Sequence, residues 1–64
     1  MPLNTITAER YVAETLPAAL IGSAYVRPDY PECLVIAVPF TFPNDPNPYS
    51  MDVWLENGSL YGEW

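Results

Sequence analysis

The side chains equipped for chemistry in this chain are eight carboxylates, two arginines and one thiol, with neither histidine nor lysine among them. Acid–base catalysis runs most often through histidine, and Schiff-base chemistry through lysine. Paired carboxylates can hydrolyse a glycosidic bond, but that reaction needs a deep cleft, and 64 residues leave little room for one. Cys33 has no imidazole to activate it, so it is expected to be a small buried hydrophobe at a strand start. Zinc would lack its usual ligands. Asn44, Asp45 and Asn47 bring oxygen atoms close together, yet without the alternating acids and closing Glu of a calcium loop, and turn chemistry accounts for them. The expectation is therefore a protein that is not an enzyme and carries no metal or cofactor.

What remains for the carboxylates is recognition. The net charge is −6, a field that repels nucleic acid and anionic membrane and attracts basic surfaces. Solubility alone asks for a charge of this size, but a surface tuned only for solubility intersperses both signs, and here lysine is missing altogether. The sharpest constellation is Asp52, Trp54, Glu56, Tyr61 and Glu63 near the C-terminal end. Large aromatics bracketed by acids describe either a solvated sheet face or an interface anchor with an acidic rim. Asp29, Glu32 and Asp45 add charge in two proline-rich loops, where a stiff backbone presents a side chain at low entropic cost.

These residues need elements to hold them. Asn4, Thr5 and Thr7 cap a helix whose apolar face is Ala8, Tyr11, Val12, Thr15 and Leu16. Pro17 should end or kink it, with Ala18 to Ile21 continuing as a last turn and Gly22 as its cap. Ala24 to Arg27 reads as a short strand closed by the breakers Pro28, Asp29, Tyr30 and Pro31. Cys33 to Val38 is the most β-like run, Pro39 implies a bulge or an edge, and Phe40 to Phe42 extend it. Leu34, Ile36, Val38, Phe40 and Phe42 form the large face that should meet the helix. Pro43 to Ser50 reads as a rigid loop.

Asn57-Gly58 is the strongest hairpin signal in the chain, because a type I′ turn needs positive φ at both positions. It dictates the register: Glu56 faces Ser59, Leu55 faces Leu60, Trp54 faces Tyr61, Val53 faces Gly62 and Asp52 faces Glu63. Met51, Val53, Leu55, Leu60, Gly62 and Trp64 then fall on the core side, and the acidic and aromatic set falls on the other. Asp52 opposite Glu63 is a repulsive cross-strand pair. The expected architecture is a single domain, residues 1–64, of class α+β. One N-terminal helix packs on a 3–4-stranded antiparallel sheet that ends in a β-hairpin. A chain this short is marginally stable, so it is expected as a monomer or weak homodimer. One cysteine allows no internal disulfide, and no basic segment followed by an apolar run opens the chain, so a cytoplasmic setting is expected. No apolar run reaches membrane-spanning length.

In its small size, acidity, absence of lysine, single cysteine and tight C-terminal hairpin, the chain resembles the anti-CRISPR proteins of bacteriophages, particularly those acting on type I systems. That group shares no motif, so no residue carries over by position. The resemblance implies a stoichiometric inhibitor in the cytoplasm of the infected bacterial host. Its partner would be a basic protein surface, namely a nucleic-acid-binding site of a CRISPR effector, with no direct contact to nucleic acid or membrane. Inhibition would block nucleic-acid binding or nuclease recruitment, with carboxylates standing in for phosphates. The physics is compatible, since DNA binding draws much of its energy from basic residues releasing counterions. Two other readings suit the same composition: a small phage structural or assembly subunit, and an acidic antitoxin-like regulator of a basic partner.

Overall fold

The computed structural model describes residues 2–30 and 32–64; Pro31, the last of the expected breakers, lies outside them. The first element is α1, Thr5–Thr15. Its start is a capping box: Asn4 Oδ1 accepts the Thr7 N–H and Thr7 Oγ1 accepts the Asn4 N–H, both at 2.9 Å. Two of the helix's orphan donors are satisfied this way. The expected continuation to Ile21 does not occur. Leu16 closes the helix by donating its N–H to Val12 O at 2.8 Å. Beyond Pro17 the apolar pair Leu20–Ile21 finds a better partner as strand β1. Gly22 is accordingly not a helix cap; it donates its N–H to Pro39 O at 2.8 Å.

Strands β2 (Tyr25–Val26), β3 (Val35–Phe42), β4 (Asp45–Glu56) and β5 (Ser59–Glu63) follow. All pairings are antiparallel, and β1 and β2 both lie on the same side of β3, followed by β4 and β5. The sheet thus has five strands and is four strands wide. Along the β1–β2 edge, Ile21 pairs with Phe40 but Tyr25 pairs with Ala37, so this edge carries one extra residue. The bulge lies beside Pro39, which has no N–H to offer it. Toward β4 the same proline sits in regular register, opposite Ser50. Ala24 N–H, left over at the bulge, donates to Glu9 Oε2 at 2.8 Å and ties the edge to α1.

The rigid loop expected over Pro43 to Ser50 shrinks to a turn at Pro43 and Asn44. Phe42 already pairs with Asp45, and regular pairing resumes at Phe40 with Tyr49. Pro46, Asn47 and Pro48 therefore form a bulged stretch of β4 opposite Thr41, where missing ladder donors cost nothing. At the other end of β4 the hairpin matches its expected register residue for residue, from Glu56 with Ser59 to Asp52 with Glu63. Asn57 has φ 51° and Gly58 φ 80°, both left-handed as a type I′ turn requires.

The core lies between α1 and one face of the sheet: Ala8 and Val12 meet Ile36, Val38, Phe40, Met51 and Val53. Of the expected large face of β3, Leu34 is exposed instead, because the strand starts only at Val35. Of the expected hairpin core, Leu60 packs against the cluster, whereas Leu55 is exposed. Trp64 is also exposed, yet its ring closes an aromatic group with Phe40 at 5.2 Å and Tyr49 at 5.7 Å between centroids. The helix covers one side of the sheet only.

Candidate protein-binding face

The uncovered side of the sheet holds the acidic and aromatic set. Trp54 and Tyr61 pair across β4 and β5, with ring centroids 6.1 Å apart and planes tilted by 20°, a stacked arrangement. Asp52 and Glu63 form the next matching pair toward the chain's end, and Glu56 lies toward the turn. Val35 pairs with Trp54 and Ala37 with Asp52. Both are buried although they point away from α1. An open hollow of about 410 Å³ runs past Tyr30, Cys33, Val35, Asp52, Trp54 and Glu63. Five of the eight candidate residues thus share one surface, placed there by strand alternation.

Arg27 is the residue that sequence reasoning passed over. Its Nη1 donates to Asp52 Oδ2 at 2.8 Å, and its Nη2 and Nε donate to the two carboxylate oxygens of Asp29 at 2.7 and 3.1 Å. Its guanidinium carbon also lies 5.1 Å from the centroid of the Tyr30 ring, a cation–π distance. Hydrogen bonds to Asp29, and then to Asp52, hold the guanidinium pKa above its ordinary value. The bond from Arg27 in turn holds the Asp29 carboxyl below its ordinary 3.8. The Asp52–Glu63 repulsion is therefore offset by a cation that reaches across from the far side of β3. The signal was available: one of only two cations, two residues before Asp29.

The remaining candidates divide. Asp29 joins the face through Arg27, and Glu32 is exposed in the connection to β3, beside a hollow shared with Arg27 and Tyr30. Asp45 does not belong. It sits seven residues from Asp52 along β4, roughly 23 Å at about 3.3 Å per residue. Its Oδ1 accepts the Asn47 N–H at 2.9 Å and its Oδ2 the Tyr49 hydroxyl at 2.5 Å. Those two bonds, the hydroxyl first, lower the Asp45 pKa from 3.8, and acceptance by Asp45 raises that of Tyr49 from 10.0. Asp45 is a structural group of the bulge. Cys33 is exposed rather than buried, because it precedes β3 in a turn and its alternation never reaches the core.

Among the described residues, no three His, Cys, Asp or Glu side chains converge as metal ligands, and no helix is long and apolar enough to cross a membrane. Comparison with protein-family models, with characterised proteins and with solved structures finds no match to this chain.

Proposed function

We propose that this chain is a non-catalytic binding protein that docks the open sheet face onto a basic protein surface. We further propose that this surface is a nucleic-acid-binding site of a CRISPR effector, as the resemblance to phage inhibitors implies. The observation that carries the reading is the stacked Trp54–Tyr61 pair on a face that the helix leaves bare, bracketed by Asp52, Glu56 and Glu63. Paired aromatics at the centre of a patch are the residues that most often dominate binding energy. The patch carries four carboxylates, Asp29, Asp52, Glu56 and Glu63, against one guanidinium, Arg27, which pairs with the first two, so it is net negative and complements lysine- and arginine-lined channels. Holding Asp29 and Asp52 in place by Arg27 reduces the entropy lost on docking.

The test uses a purified type I surveillance complex, its target DNA and this chain. Binding of the chain to the complex should exclude the DNA, and Trp54→Ala should weaken binding by about 2 kcal/mol, seen mainly as faster dissociation. No binding to the complex would overturn the choice of partner. Binding that Trp54→Ala leaves untouched would overturn the choice of face. A chain that forms stable higher oligomers by itself would favour the reading as an assembly subunit.

A further inference from the structure

The outer edge of β5 is unguarded. The opposite edge of the sheet consists of two dipeptide strands separated by a bulge at Pro39, which is how natural sheets blunt an edge. β5 instead runs five residues without proline, lysine or bulge, and no described strand pairs its outer side. Nor does α1 cover it: Arg10, Tyr11 and Glu14 border an open groove beside Ser59 and Leu60. The two-residue turn makes Glu56–Ser59 a hydrogen-bonded pair, and so, by alternation, are Trp54–Tyr61 and Asp52–Glu63. Leu60 and Gly62 are then the residues whose N–H and C=O point outward with no strand to meet them.

We propose that β5 pairs antiparallel with β5 of a second copy of this chain, about a twofold axis through Tyr61, to give one continuous sheet. The strand is self-complementary in that register. Leu60 meets Gly62 of the other copy through both outward hydrogen-bond pairs, Tyr61 meets Tyr61 and Glu63 meets Ser59. Sliding by one step of the ladder sets Tyr61 against Glu63 or Ser59, and by two steps sets Glu63 against Glu63, a like-charge contact, or Ser59 against Ser59. Only the first register gives an aromatic pair at the axis and a hydroxyl opposite each carboxylate. The twofold pairing also joins the two Trp54–Tyr61 stacks into one row. This inference rests on the edge and not on what the open face binds, so it is read on the chain alone.

Sedimentation equilibrium from micromolar to millimolar chain should move the mass from 7.2 kDa toward twice that. Because each copy carries −6, dimerisation should tighten as salt is raised. Two exposed substitutions read the register: Ser59→Lys should tighten the dimer several-fold by meeting Glu63, and Ser59→Glu should loosen it by a similar factor. At high salt, where the net charge is screened, the two variants would behave alike in the slid registers, in which Ser59 lies away from Glu63. Tyr61→Cys in a Cys33→Ser background should form a disulfide-linked dimer under mild oxidation, since facing residues at a non-hydrogen-bonded position lie within disulfide reach. A mass that stays at 7.2 kDa throughout, or a thiol at position 61 that does not cross-link, would overturn the proposal.

Discussion

At the scale of single residues, the structure reassigns two carboxylates. Asp52 has a cation beside it and Glu63 has none among the described residues. Reversing charge should therefore separate them. Asp52→Lys sets two cations together next to Asp29 and should lower the melting temperature. Glu63→Lys faces Asp52 across the ladder and should keep or raise it. Equal melting temperatures for the two variants would mean that Arg27 does not hold Asp52 in solution. The Asp45–Tyr49 bond makes a second prediction. A carboxyl held below 3.8 supports the fold above that pH and loses its share as pH falls through the depressed value. A phenol held above 10.0 supports it below that pH and loses its share as pH rises through the raised value. The gap in melting temperature between wild type and Asp45→Asn should be widest between those limits and narrow at both ends. A gap that ignores pH would break the assignment.

At the scale of elements, the β4–β5 hairpin positions the proposed face, and two glycines set its geometry. Gly58 sits at φ 80° with open space around it. Gly58→Val should destabilise by about 1–2 kcal/mol through backbone strain alone. Gly62 presents the opposite case: a Cβ there would lie 2.6 Å from Met51 Sδ and 2.8 Å from Tyr11 Cε2. Gly62→Ala should cost about 1–3 kcal/mol by overpacking the contact between helix and sheet. Chemical denaturation of both variants checks this. Wild-type stability for Gly58→Val would contradict the type I′ turn. Wild-type stability for Gly62→Ala would mean that α1 sits farther from β5 than described.

For the whole molecule, the shape bears on how the proposed partner would be met. The shortest axis spans 16 Å, one helix layer on one sheet layer, so that partner would meet an open face and not a cleft. With a net charge of −6, association with a basic partner should slow as salt rises from about 0.05 to about 0.5 M, while dissociation changes little. Glu56→Lys combined with Glu63→Lys should slow association at low salt and flatten that dependence. An unchanged salt slope in this variant would place the electrostatic contact elsewhere, with Glu32 the next carboxylate to reverse.

Local and alternating features were determined by the sequence itself. The Asn4 cap, the α1 face apart from the exposed Thr15, and the hairpin register were readable because capping, helical period and a type I′ turn depend on residues within a few positions of one another. The same period of two placed Asp52, Trp54, Glu56, Tyr61 and Glu63 together. Features that depend on a partner distant in the chain were decided only by tertiary structure. Leu20 and Ile21 became a strand because β3 was there to pair with them, and the prolines at 46 and 48 entered β4 because a bulge spared them their missing donors. Cys33 came out exposed because β3 starts two residues later. Arg27 reached Asp52, 25 positions away, only because β2 and β4 flank β3 on opposite sides. Pattern and turn chemistry carry short-range information, whereas strand order and ion pairing across strands are settled when distant segments compete for the same backbone partners.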